Sequence, residues 1–183
     1  VAAAGCRSFA VHARKAWLEG LSPKENRDVP PLDYAVVHRL KAAFPGLTTV
    51  INGGLTSLDA AAAQLAHVDG VMLGRAAYEN PYLLAEVDRR FFADPRPPPS
   101  RHAVIEQLLP YVERERHRGT PLKHITRHIL GLFQGRPGAR AFRRHLAENA
   151  HLDDAGVEVI SRAATLVAPD DATMINGEFR RVA

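Results

Sequence analysis

Three short apolar runs punctuate the chain: Ser8–Val11, Thr48–Ile51 and Gly70–Leu73. Each is bounded by polar or turn-forming residues, and each predicts a buried strand. The intervals between them read as helices. From Leu32 to Phe44 apolar residues recur at helical spacing, and the segment stops at Pro45-Gly46. From Ser57 to His67 the chain is rich in alanine, and Thr56 with Asp59 fits a capping box. Asn80-Pro81 opens a third helix that runs to about Phe92. The order β-α-β-α-β-α predicts a parallel sheet covered by helices.

Beyond Phe92 the strand pattern vanishes. The segment DPRPPPS, Asp94 to Ser100, is a linker, because its prolines cannot continue a helix and favour an extended chain. Helices are expected over 101–118, 121–134, 138–150 and 153–167, with Gly119-Thr120-Pro121 and Gly135-Arg136-Pro137-Gly138 as breaks. The tail from Pro169 is polar and expected to fray. The organisation is therefore an α/β piece over 1–93, a linker over 94–100, an all-helical piece over 101–168 and a tail over 169–183. Three parallel strands make a poor sheet alone, since both faces and both edges need cover. The α/β piece reads as the end of a larger fold.

Composition narrows the class. The chain has 183 residues and a single cysteine, Cys6, so it forms no internal disulfide and no cysteine metal cluster. It has no apolar run long enough for a membrane span, and its first residues lack the layout of a signal peptide. A soluble, cytoplasmic and monomeric protein is the expectation. The net charge of +4 is unevenly spread: within 114–144, nine Lys and Arg stand against one acidic residue, Glu115. Clustered cations of this density suit a polyanion, although a solvated basic face has the same composition.

The candidate chemistry sits at strand ends. Asn52-Gly53-Gly54 follows the second strand, and Gly74-Arg75 follows the third. In parallel barrels ligands lie at the C-terminal ends of the strands, with phosphate held by late loops. Glycines let phosphate oxygens reach backbone N–H groups, and an arginine adds a bidentate contact. Plain turns would also use glycine. His12, directly after the first strand, falls in the same layer, as a ring contact for a cofactor or as a packed strand-end histidine. The long loop Lys15–Pro31 carries Lys24 and Arg27, which face an anionic partner or water. In 122–146, Lys123, Arg127 and His128 share one helix side, and Arg140, Arg143 and Arg144 line one face of the next helix. His124 and His128 are spaced as a metal pair but lack a third ligand, so no metal site is expected. Cys6 precedes the first strand, away from the rim, and reads as a structural thiol.

Taken together, HARKAWLEGLSPKENRDVPPLDY, VINGGLTS, DGVMLGRAAYENP, HITRHILGLFQGRPGAR and RRHLAENA resemble the C-terminal half of a tRNA-dihydrouridine synthase, close to the A-type bacterial group. The resemblance covers about residues 5–168. It implies the C-terminal part of a (β/α)8 TIM barrel, its last three βα units, followed by an all-helical tRNA-binding domain. It implies FMN as cofactor, NADPH as reductant and tRNA as partner. The reaction would be reduction of uridine to 5,6-dihydrouridine at positions 20/20a of the D-loop. On matching positions, His12 would contact the flavin ring system, and Asn52, Gly53, Gly54, Gly74 and Arg75 would hold the FMN phosphate. Lys24, Arg27, Arg140 and Arg143 would meet tRNA, with Lys24 and Arg143 setting its orientation.

The family's catalytic cysteine, a flavin-contacting lysine and the first-strand flavin contacts belong to its N-terminal half and match nothing here, so the resemblance places no catalytic residue in this chain. Cys6 does not match the catalytic motif. A fragment, binding FMN weakly and inactive alone, is therefore expected. Three rival readings stand beside it. One is another FMN-dependent TIM-barrel oxidoreductase of the dihydroorotate dehydrogenase kind, which has no basic helical domain. Another is a phosphate-binding isomerase or synthase barrel, which accounts for 50–75 but not 114–144. The third is a non-catalytic RNA-binding remnant.

Overall fold

The computed structural model describes residues 1–169 and, as backbone, the strands Ala172–Ile175 and Glu178–Arg181. The chain divides into two compact units, Val1–Ala77 and Tyr78–Ala183.

The first unit holds three strands, β1 (Ser8–His12), β2 (Thr48–Asn52) and β3 (Gly70–Met72). They form one parallel sheet in the order β1-β2-β3. Strands β1 and β2 each run one residue further than their apolar runs, because His12 and Asn52 still pair across the ladder. Strand β3 stops one residue short, where Met72 pairs with Asn52. Two helices connect the strands, α1 (Tyr34–Ala43) and α2 (Leu58–Leu65). Asp33 caps α1 by accepting from the Val36 N–H at 3.1 Å. The cap of α2 is Ser57 and not Thr56: Ser57 has extended backbone and its Oγ accepts from the Ala60 N–H at 3.1 Å. That places Asp59 inside the first turn, where its charge favours the helix dipole.

Alternation along β2 sends Thr49 and Ile51 inward. Ile51 packs with Ala13, Val37, Leu55 and Val68, bordered by Val11, Leu32, Tyr34 and Leu73. At the N-terminal end of the sheet, Asp69 Oδ2 accepts from the Thr49 N–H at 2.7 Å and pairs with Lys41 at 2.8 Å, tying α1 to β2 and β3. The alternating order and parallel sheet fit part of a (β/α)8 barrel.

The division between units falls within a short helix the apolar pattern did not signal, α3 (Arg75–Glu79). In the second unit the helix expected from Asn80-Pro81 is split into a 3-10 segment, Pro81–Glu86, and α4 (Val87–Phe91). Next come α5 (Arg101–His117), α6 (Leu122–Thr126), α7 (Ala139–Asn149) and α8 (Val157–Ala164). The expected helix over 121–134 stops at Thr126 and continues as tight turns, with i to i+3 bonds such as Ile129 N to Thr126 O and Leu132 N to Ile129 O, both at 3.0 Å. Gly131 lies within these turns. A Cβ there would collide with the Glu79 carbonyl, so only glycine fits where the turns pass that backbone. The core of this unit centres on Phe133 and Phe142, edge to face at 4.8 Å, with Ile105, Val112, Leu122, Leu146 and Ile160. Where fraying was expected, Ala172–Ile175 and Glu178–Arg181 pair as antiparallel strands; the rest of the tail beyond Pro169 lies outside the described residues.

Candidate functional site

The ladder itself assembles the rim. His12 pairs with Asn52, and Asn52 with Met72, so the ends of all three strands fall in one layer. Gly53 and Gly54 then leave β2 with φ of 118° and 65°, conformations that side chains rarely adopt. Both glycines are also crowded. A Cβ on Gly53 would lie 3.0 Å from His12 Cε1 and 3.1 Å from Nδ1, and one on Gly54 would strike the Leu32 side chain. The loop is held from below by Tyr34, whose hydroxyl donates to the Gly53 carbonyl at 2.9 Å. Gly74 is the opposite case, with no atom within 4 Å of where a Cβ would stand, so its backbone is open to a ligand.

Four cations or near-cations gather here. The His12 pKa lies below its ordinary 6.5, first because the ring is partly desolvated, then because Arg14, Arg27 and Arg75 repel an added proton. The imidazole is thus kept neutral near neutral pH, ready to donate or accept one hydrogen bond. Arg75 pairs with Asp28 at 2.8 Å, but its side chain is 66% exposed, and so open an ion pair is easily exchanged for a stronger anion.

The loop that brings Arg27 here is built, not loose. Asn26 pairs with the backbone of Trp17 in both directions: its Oδ1 accepts from the Trp17 N–H at 2.7 Å, and its Nδ2 donates to the Trp17 carbonyl at 2.9 Å. Ser22 and Glu25 cap one another, with the Ser22 N–H donating to Glu25 Oε2 at 2.8 Å and the Glu25 N–H to Ser22 Oγ at 3.3 Å. These contacts shape a 3-10 turn, Glu25–Arg27, with exposed Lys24 at its start. Arg14 closes the base of the loop by donating to the carbonyls of Asp28 and Pro30.

Arg140 and Arg143 belong to the second unit. Both are exposed on α7, which buries Ala139, Phe142 and Leu146. Lys123 is also exposed, on α6, and Arg127 caps that helix. His128 does not face a metal partner: its Nε2 receives the Arg127 Nε–H at 3.1 Å, and among the described residues no group of three or more His, Cys, Asp and Glu could hold a metal ion. Cys6 is half-buried at the start of β1, its thiol toward the Ser8 carbonyl at 3.4 Å.

The dihydrouridine synthase (Dus) family model matches residues 1–168. The chain belongs to the dihydrouridine synthase family. Its relatives include proteins named tRNA-dihydrouridine(20/20a) synthase. That of Vibrio cholerae is 57% identical over 159 residues, which is 87% of this chain and 49% of the relative. That of Shewanella oneidensis is 56% identical over 170 residues, 93% of this chain and 51% of the relative. That of Escherichia coli K12 is 57% identical over 163 residues, 89% and 47%. The chain thus spans about half the length of the curated relatives it matches.

The family is generally flavin-dependent, and the rim fits the phosphate end of such a group. Gly53 and Gly54 present backbone without side chains, the Gly74 backbone is open, and Arg75 with Arg27 supplies charge. Tyr34, Leu32 and Asn26 support this site and were missed from sequence. Tyr34 acts nineteen residues away in the chain, a distance at which no local motif signals a contact. Asn26 looked like one more polar loop residue beside Lys24 and Arg27.

Among the described residues, no helix is long and apolar enough to cross a membrane.

Proposed function

We propose that this chain supplies the cofactor-phosphate rim and the tRNA-holding helical part of a tRNA-dihydrouridine(20/20a) synthase, within an α/β barrel followed by a helical tRNA-binding domain. The observation that carries this reading is the rim itself: His12 beside a two-glycine loop, with Arg14, Arg27 and Arg75 around it. Asn52, Gly53, Gly54, Gly74 and Arg75 would hold the phosphate of FMN, and His12 would meet its ring system. The chemistry FMN supplies when bound is hydride delivery to the uracil ring, with NADPH as the source of the electrons. Lys24 and Arg27 in the rim loop, and Arg140 and Arg143 on α7, would bind the tRNA backbone.

Nothing in this reading assigns catalysis to Cys6, which sits at the start of β1 while the rim lies at its end. Activity would then require groups beyond these residues. A second reading, RNA binding without catalysis, draws on that same placement of Cys6.

Two titrations on the purified chain test the proposal. FMN should bind weakly, and more weakly still in Arg75→Ala; tight stoichiometric flavin, visible as a yellow protein, would contradict the expected weakness. A tRNA transcript should bind in a salt-sensitive way, and the double variant Arg140→Ala/Arg143→Ala should lose affinity. Unchanged binding in that variant would remove α7 from the tRNA surface. Release of dihydrouridine-containing tRNA by the chain with NADPH and FMN would exclude the non-catalytic reading.

A further inference from the structure

Beside Arg140 and Arg143 lies a feature that their charge does not explain. An open groove of about 630 Å³ is lined by Tyr78, Arg127, Arg136, Arg140 and Arg143, with Glu79 as its one acidic residue. Four guanidiniums against one carboxylate suit a phosphate chain. The floor runs past Gly131 and Gly135, so no side chains fill it there. At its wall stands an aromatic ring in the open: Tyr78 is 56% exposed. It meets His128 edge to face, with centroids 5.6 Å apart and planes at 80°. Whichever ring presents its edge, a perpendicular contact leaves at least one face of Tyr78 uncovered by His128. Arg127 in turn donates to His128, so the ring that braces Tyr78 is itself held.

Resting on the reading of this chain as tRNA-binding, we infer that the groove is a nucleotide subsite, in which an unstacked base of single-stranded RNA lies on Tyr78 while Arg127 takes a flanking phosphate. Base stacking on an exposed aromatic, with cations tracking the backbone, is how proteins hold single-stranded nucleic acid without reading sequence. An acidic peptide would satisfy the guanidiniums but leave the ring without a partner. Tyr78 therefore favours RNA as the occupant.

The test compares a short oligouridylate with its abasic counterpart of equal length, bound to the 183-residue chain. The wild type should prefer the base-bearing strand. Tyr78→Ala should weaken oligouridylate roughly 5- to 100-fold and leave the abasic strand unchanged, whereas Tyr78→Phe should behave as wild type. Arg127→Ala should weaken both strands and lower the salt dependence. Equal binding of both strands by the wild type, which needs no variant to fold, overturns the inference. So does competition by polyglutamate as strong as that by oligouridylate. A tRNA titration in parallel separates the two levels: tRNA binding that depends on Arg140 and Arg143 but not on Tyr78 defeats only the subsite, and absence of tRNA binding defeats the tRNA reading as well.

Discussion

The Tyr34 hydroxyl donates to the backbone carbonyl of Gly53 at 2.9 Å, linking the first residue of α1 to the glycine loop that leaves β2. It is the one side-chain hydrogen bond found on that loop among the described residues, so it fixes the direction of the Gly53–Gly54 peptide. Tyr34→Phe keeps the ring in its place and removes only this bond. A partly buried hydrogen bond of this kind is worth about 0.5–1.5 kcal/mol. The free energy of unfolding in urea should fall by that amount, and affinity for FMN should fall with it, because the backbone donors lose their aim.

The two glycines should tolerate alanine badly, each for its own reason. Gly54 at φ 65° combines a left-handed backbone with contact against Leu32, a flexible side chain that can yield in part. Gly53 at φ 118° has less freedom, and its new methyl would push into the His12 ring. Both substitutions should cost at least about 1 kcal/mol in urea unfolding. Only Gly53→Ala should also move the His12 imidazole resonances.

His12 predicts a pH dependence with a definite sign. Its folded pKa lies below 6.5, so the unfolded chain binds more protons between those two values. Its contribution to stability is therefore complete above pH 6.5 and is lost as pH falls through the lowered folded value. Proton NMR of the ring should show the depressed pKa directly. Arg27→Ala or Arg75→Ala should raise it, since each removes a repelling charge, and a bound phosphate-bearing ligand should raise it further.

The sequence made some of this legible and hid the rest, for physical reasons. The strands were visible as short continuous apolar runs, and β1, β2 and β3 match them to within one residue, but of the three only β2 buries residues, Thr49 and Ile51, so the expected burial is not met in β1 and β3. That His12, Asn52, Gly53, Gly54, Gly74 and Arg75 fall in one layer was readable because each ends or closely follows a strand, so knowing the strand end fixes the layer. The partners that hold them were not. Tyr34, Leu32 and Asn26 act across loops, where spacing carries no information about contact. The long helix expected over 121–134 stops at Thr126, because apolar residues at i and i+3 suit a chain of tight turns as well as an α-helix. Short helices such as α3 are set by tertiary context, with too few residues to show a period.

Asn26 offers a test of whether the rim loop is built in advance of binding. Its side chain closes the loop on both polar groups of Trp17. Asn26→Ala should leave the cores of both units intact and yet open the segment between Trp17 and Asp28, read as faster proteolytic nicking there. tRNA affinity should drop because Lys24 and Arg27 must then be ordered on binding. Asn26→Asp keeps the acceptor toward the Trp17 N–H but loses the donor to its carbonyl, and should fall between the two. Equal nicking in all three proteins would mean that the loop holds its shape without this side chain.

Phe142 and Arg143 are neighbours on α7 with opposite surroundings, and they separate folding from binding. Phe142 is fully buried and meets Phe133 edge to face. Phe142→Ala leaves a cavity in the centre of the helical core and should cost about 3–5 kcal/mol. Arg143 faces the arginine-lined groove and is exposed. Arg143→Ala should barely change the unfolding midpoint, because exposed substitutions away from such packing usually stay within about 0.5 kcal/mol. Its effect should appear instead in the salt dependence of tRNA binding, where loss of one phosphate contact lowers the slope of log affinity against log salt by about 0.7–0.9. A large loss of stability in Arg143→Ala, with an unchanged salt slope, would make that arginine a structural residue and leave the groove without one of its four cations.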